Sequence, residues 1–209
     1  MMFSTEAKMR GELDQATLQE IGAKLPDIRP LFKIRSWTPL VTSATCMLAE
    51  DVSSALPLAA VCLNDTLSGI TEARCAVHEA LACLVWYREK SPDKPNEPAA
   101  VFTSRFYATA AASCLYASGE RLADALIAMF GIDASKLPTS PVSRQRKVAQ
   151  YLGTQMPGDP ITVAVQSLGT SPDWKKSRQL RDRWVHEQPL IIGGGRNTVQ
   201  APPTVDTKG

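Results

Sequence analysis

PAAVFTSRFYATAAASCLYASGERLADALIAMFG, residues 98–131, decides the fold class. Ala108, Ala112, Leu115, Gly119, Leu122, Leu126 and Met129 recur at alternating four- and three-residue steps, which puts them on one stripe of a helix. Unbroken from Pro98 to Phe130, that helix is roughly 50 Å long at 1.5 Å per residue. Gly131 stands where a C-terminal cap needs a residue tolerant of the left-handed conformation. Alanine and glycine on the stripe let a neighbouring backbone come close. The partner is the segment before it, Ser68 to Lys90, which carries Ile70, Ala73, Val77, Leu81 and Leu84 at helical spacing. The turn sequence Ser91-Pro92-Asp93-Lys94-Pro95-Asn96 separates the two. A tight antiparallel pair at the centre of a bundle is the expectation.

Outward from this pair the signals stay helical, and no segment alternates strictly enough to suggest a sheet. Residues 12–25 predict a short helix ended by Pro26. Thr42 to Cys62 predicts two helical pieces, because Pro57 lacks an amide donor and crowds the preceding turn. A basic helix is expected from Ser143 to about Leu152, then a break at Met156-Pro157-Gly158-Asp159-Pro160, then a short apolar segment, Ile161 to Leu168. The last helix opens with Ser171-Pro172-Asp173, a cap, a first-turn proline and an acid at the positive end of the dipole, and runs to about His186. From Gly193 the composition is that of a flexible tail. The reading is an all-α bundle divided into an N-terminal helical extension (1–67), a helical domain (68–190) and a tail (191–209).

Composition narrows the classes further. The chain has 209 residues, 44% apolar and 21% charged, which is enough to bury a core without staples and unlike a disordered chain. Its apolar stretches fall far short of the ~20 residues that span a bilayer, and the start carries no secretory signal, so a cytoplasmic protein is expected. Five cysteines, at 46, 62, 75, 83 and 114, form no CxxC and predict reduced thiols. A net charge of +2 does not by itself announce a nucleic-acid partner, so the position of the basic residues has to carry any such case.

That position is the last helix. With Trp174 at 0° and about 100° per residue, Leu180 falls near 240°, Trp184 near 280°, Arg181 near 340° and Val185 near 20°, so Arg181 lies within the apolar arc. Burying a guanidinium costs several kcal/mol unless it is paired, which implies a carboxylate, a subunit interface or a wet cleft beside it. His186 stands near the C-terminal end of the dipole, where its imidazolium form is favoured and proton exchange near neutral pH is accessible. Lys175, Lys176, Arg178 and Arg183 crowd the same helix, with Trp174 and Trp184 interleaved. Such charge recruits phosphates. An exposed indole stacks on a base, but the place of both tryptophans on the apolar arc favours core anchors.

Arg181-Asp182-Arg183-Trp184-Val185-His186 resembles the motif of the HEPN family (higher eukaryotes and prokaryotes nucleotide-binding), Arg-x4-6-His with Asn, Asp or His after the arginine. Its continuation to Pro189 is similar to the RWVHEQP ending of a bacterial subgroup. The resemblance in order covers roughly residues 68–190, its specific part about ten. It implies a HEPN-like helical bundle, usually a homodimer that brings two motifs together, and metal-independent RNA cleavage by attack of the 2′-hydroxyl. Arg181 and His186 are then the catalytic pair. Asp182 is a supporting residue that orients its neighbours, and Glu120 is a supporting carboxylate although it lies off the apolar stripe. Lys175, Lys176, Arg178 and Arg183 bind RNA. Defence, toxin and RNA-processing settings are all compatible with this, and a protein regulator is left unidentified. Where a familiar subgroup has an adenylylated tyrosine this chain has Gln188, so an antitoxin of that kind is not implied. The alternative is a non-catalytic module that binds RNA or a nucleotide, or serves dimerisation.

No metal or cofactor is expected. Cys75, His78 and Cys83 are too few and too scattered around an apolar helix for zinc. Gly193-Gly194-Gly195-Arg196 lacks the strand and helix that make a glycine loop cradle phosphate.

Overall fold

The computed structural model describes residues 11–31, 55–90, 98–140 and 142–186. Among these there is no strand. The order is α1 (Gln15–Ala23), α2 (Ala55–Lys90), α3 (Pro98–Phe130), a 3₁₀ turn (Ala134–Lys136), α4 (Arg144–Gln155), α5 (Pro160–Thr170) and α6 (Pro172–His186). Among the described residues no helix is both long and apolar enough to cross a membrane. The expected tail and most of the segment from Thr42 to Cys62 lie outside the described residues.

α2 and α3 form the antiparallel pair. Asp65 meets Arg121, Gly69 meets Ser118, and Glu72 meets Cys114, so numbers rise along one helix as they fall along the other. The contact is close because the side chains are small. A Cβ on Gly69 would lie 2.3 Å from Ser118 Oγ and 3.3 Å from the Cys114 carbonyl oxygen. Thr66 and Ser118 return their hydroxyls to the carbonyls of Cys62 and Cys114, both at 2.8 Å, which removes the cost of burying them.

One expectation is corrected here and another is made more specific. The helix expected from Ser68 begins at Ala55 and runs unbroken for 36 residues, straight through positions 67 and 68. Pro57 does not break it. It occupies the first turn, where an amide has no partner within the helix in any case. The segment from Ile161 to Leu168 is a full helix, α5, whose N-cap Asp159 accepts from Ile161 N at 2.9 Å and whose first residue is Pro160.

α3 ends as expected. Gly131 takes φ +58°, Ile132 N donates to the Ile127 carbonyl at 2.9 Å, and Gly131 N donates to that of Ala128 at 3.4 Å. These are the two bonds of a Schellman cap. Ile132 then enters a core with Ala123, Leu126, Val148, Ala149, Leu152 and Val165, which fastens α4 and α5 to the C-terminal half of α3. At the other end Leu13 and Ile21 pack on Ala82, Cys83, Trp86 and Ala100. Arg74 donates to the carbonyls of Gly22 and Pro26, and His78 Nε2 lies 3.1 Å from the Leu18 carbonyl, so α1 is held on α2 by polar bonds to its own backbone.

Candidate functional site

The site is built on the middle of α3, where α4 and α6 both arrive. Gly119 makes this possible. A Cβ there would lie 2.5 Å from Trp174 Cη2, so glycine lets the first turn of α6 settle on α3, while Gln145 Oε1 from the first turn of α4 would be at an ordinary 3.6 Å. α6 is started by Ser171, whose Oγ accepts from Trp174 N at 3.5 Å. Trp174 is half-buried, and its indole stacks on Tyr116 with ring centroids 6.4 Å apart and planes 12° apart. It is therefore a packing anchor, as the helical wheel favours.

Two turns further along α6, Arg181 comes back over Tyr116. Its Cζ lies 4.5 Å from the ring centroid, and Nη1 donates to Asp182 Oδ1 at 2.8 Å. The side chain retains 29% exposure. The partner that the burial of Arg181 required is thus its neighbour in sequence, with an aromatic face beneath. The guanidinium lies over the ring and is held by the carboxylate through one nitrogen, and among the described residues no other acceptor engages the remaining donors of the fork. Tyr116 is the residue that the sequence did not single out. Burial pushes its phenol above the usual tyrosine range, and the Glu120 carboxylate adds to that. It therefore remains a neutral phenol beside Arg181 through the physiological range.

Glu120 follows Tyr116 by one turn, but it does not reach Arg181. Its carboxylate closes the N-terminus of α4, accepting from Arg144 N at 3.2 Å and Gln145 N at 3.5 Å. A negative charge there is favourably placed against the helix dipole. Lys175, Lys176, Arg178 and Arg183 are all exposed on α6, with Lys176 3.8 Å from Asp173. The backbone of α6 extends to His186, and the side chains of residues 184–186 lie outside the described residues.

Other chemistry finds little support among the described residues. No group of three or more His, Cys, Asp or Glu is placed to hold a metal ion. His78 is spent on the Leu18 carbonyl. Burial raises the thiols of Cys62 and Cys114, and the carboxylates of Asp124 and Glu72 raise them further, so neither is an activated nucleophile.

No protein family, curated protein or solved structure matches the chain.

Proposed function

We propose that the protein is a HEPN-type, metal-independent endoribonuclease in which Arg181 grips the scissile phosphate and His186 transfers the proton. The observation that carries this reading is the fixed, partly open guanidinium of Arg181 between Tyr116 and Asp182, on a helix whose exposed residues include Lys175, Lys176 and Arg178. Attack of the 2′-hydroxyl on the adjacent phosphorus gathers negative charge on the phosphoryl oxygens. A preorganised guanidinium meets that charge with paired hydrogen bonds and does not have to reorganise. A histidine with a pKa near neutrality accepts the hydroxyl proton and returns one to the leaving 5′-oxygen.

The spacing also argues for a homodimer. Five residues on a helix place position 186 about 7.5 Å along and about 140° around the axis from position 181. One chain therefore sets its two motif residues on different sides of α6, and a second copy completes the site. Sedimentation is expected to give a dimer at micromolar concentration, and a strict monomer would contradict the composite site.

A second reading has one observation in its favour: Arg181 already pairs with Asp182 without a ligand. On that reading the motif only shapes a helical module that binds RNA or a nucleotide. The two are separated by incubating purified protein with mixed RNA in EDTA. The nuclease reading expects scission; intact RNA under conditions where it binds would leave the scaffold.

A further inference from the structure

A cavity of about 490 Å³ opens between the N-terminus of α4 and the loop that follows α3, with Glu120, Ser143, Arg144 and Lys147 on its polar side and Leu137 and Pro138 on its apolar side. Its volume falls within the ~300–1,000 Å³ of small-molecule sites. The polar groups are not equivalent. The amides of Arg144 and Gln145 are already taken by the Glu120 carboxylate, so the helix end offers no free donor to an anion. The Arg144 guanidinium is held through Nη1 by the Asp124 carboxylate. Lys147 is different: among the described residues no carboxylate pairs with it, so its whole ammonium faces the cavity without an ionic partner. Ser143 holds the cap position of α4, yet its hydroxyl makes no capping bond, because Glu120 does that work from α3. Its donor and acceptor are left to the cavity.

An ammonium, a free hydroxyl, a carboxylate and an apolar wall in one recess suit a phosphate, a ribose and a base together better than an inorganic anion alone. The recess is also in line with the motif. Glu120 is one turn from Tyr116 on α3, and Tyr116 carries Arg181. We propose that this cavity is a nucleotide subsite of the RNA path, in which Lys147 takes a backbone phosphate and the Leu137-Pro138 wall takes the base of a nucleotide neighbouring the cleaved one. The proposal rests on the RNA reading above and names a place where the substrate extends beyond the scissile bond. Glu120, read from sequence as a supporting residue of the catalytic pair, becomes the floor that joins the two.

The test is binding of a fluorescent, fully 2′-O-methylated RNA hexamer, which is not cleaved, to the full chain and its Lys147→Ala, Lys136→Ala and Arg181→Ala variants across a salt series. Lys136 is exposed in the same loop but does not line the cavity, so it reports general charge. Lys147→Ala is expected to weaken binding by about tenfold and to reduce the slope of log Kd against log salt by about 0.7, the value for one lost phosphate contact on a single strand. Lys136→Ala is expected to match wild type. If wild type and Arg181→Ala differ while Lys147→Ala binds as wild type does, the subsite is wrong and the RNA reading stands. Equal losses in Lys147→Ala and Lys136→Ala would also overturn it, since the effect is then the field of the surface and not a site. No hexamer binding by wild type would remove both.

Discussion

Arg181→Ala is expected to reduce RNA scission by about 10²-fold or more, because loss of one preorganised donor to a developing oxyanion costs on that order elsewhere. The effect should come from chemistry and not from folding. The pair with Asp182 is partly exposed and contributes about 0–1 kcal/mol, and the contact with the Tyr116 ring about 0.5–1 kcal/mol. Circular dichroism and the melting temperature should therefore stay close to wild type. Arg181→Lys keeps the charge but not the planar fork, and should recover only a small part of the rate. Tyr116→Leu removes the face on which the guanidinium rests and should lower kcat with helicity intact, whereas Tyr116→Phe keeps that face and should lose much less. If Tyr116→Leu cleaves as well as wild type, the platform has no part in placing Arg181.

Gly119→Val should be the most damaging single change in the middle of α3. The new Cβ enters within 2.5 Å of Trp174, and the far side is closed by Gln145, itself 2% exposed. Forcing extra methyl groups into a closed contact costs about 1–3 kcal/mol, while valine and glycine differ little in helix propensity, so little offsets the clash. For a chain of this size the melting temperature should fall by roughly 2–12 °C. Displacing Trp174 also takes away the stacking partner of Tyr116, so scission should fall with stability. Trp174→Phe in the same chain shortens the ring that meets position 119 and should restore part of both. An unchanged melting temperature in Gly119→Val would show that α6 does not dock there.

The part of the fold that could be read in the sequence is the part driven by local signals. Gly131 announced the end of α3 because its cap needs a positive φ. Ser171-Pro172 announced the start of α6. Asp159-Pro160 carries the same signature for α5, but the following run of Ile, Val and Leu resembles any buried stretch and hid it. The apolar stripes were read as if each helix had one neighbour. Among the described residues α3 has at least three: α2 against Cys114 and Ser118, α6 against Tyr116 and Gly119, and α4 against Glu120. Leu84 and Met129, placed on those stripes, are each 47% exposed, while the close contact between α2 and α3 runs through serine, threonine and glycine, which carry little hydropathy signal.

The site divides in the same way. Arg181 was marked because a guanidinium in an apolar arc demands a partner, whereas Asp182 was marked by the motif resemblance and not as that partner. Tyr116 lies 65 positions before Arg181 and has no local mark. Only the docking of α6 on α3 brings it under the guanidinium. Glu120 was marked as acidic and off the stripe, but its role depends on amides 24 and 25 residues away.

The central claim is that this chain cuts RNA with its own arginine and histidine and without a metal. It is tested most directly by identifying the ends left when pure wild type and His186→Ala, both shown to be folded, act on a labelled RNA in EDTA. Wild type should leave 2′,3′-cyclic phosphate and 5′-hydroxyl ends, the products of attack by the neighbouring ribose hydroxyl, and His186→Ala should leave the RNA intact. Ends bearing a 3′-hydroxyl, or equal cleavage by the variant, would contradict the account.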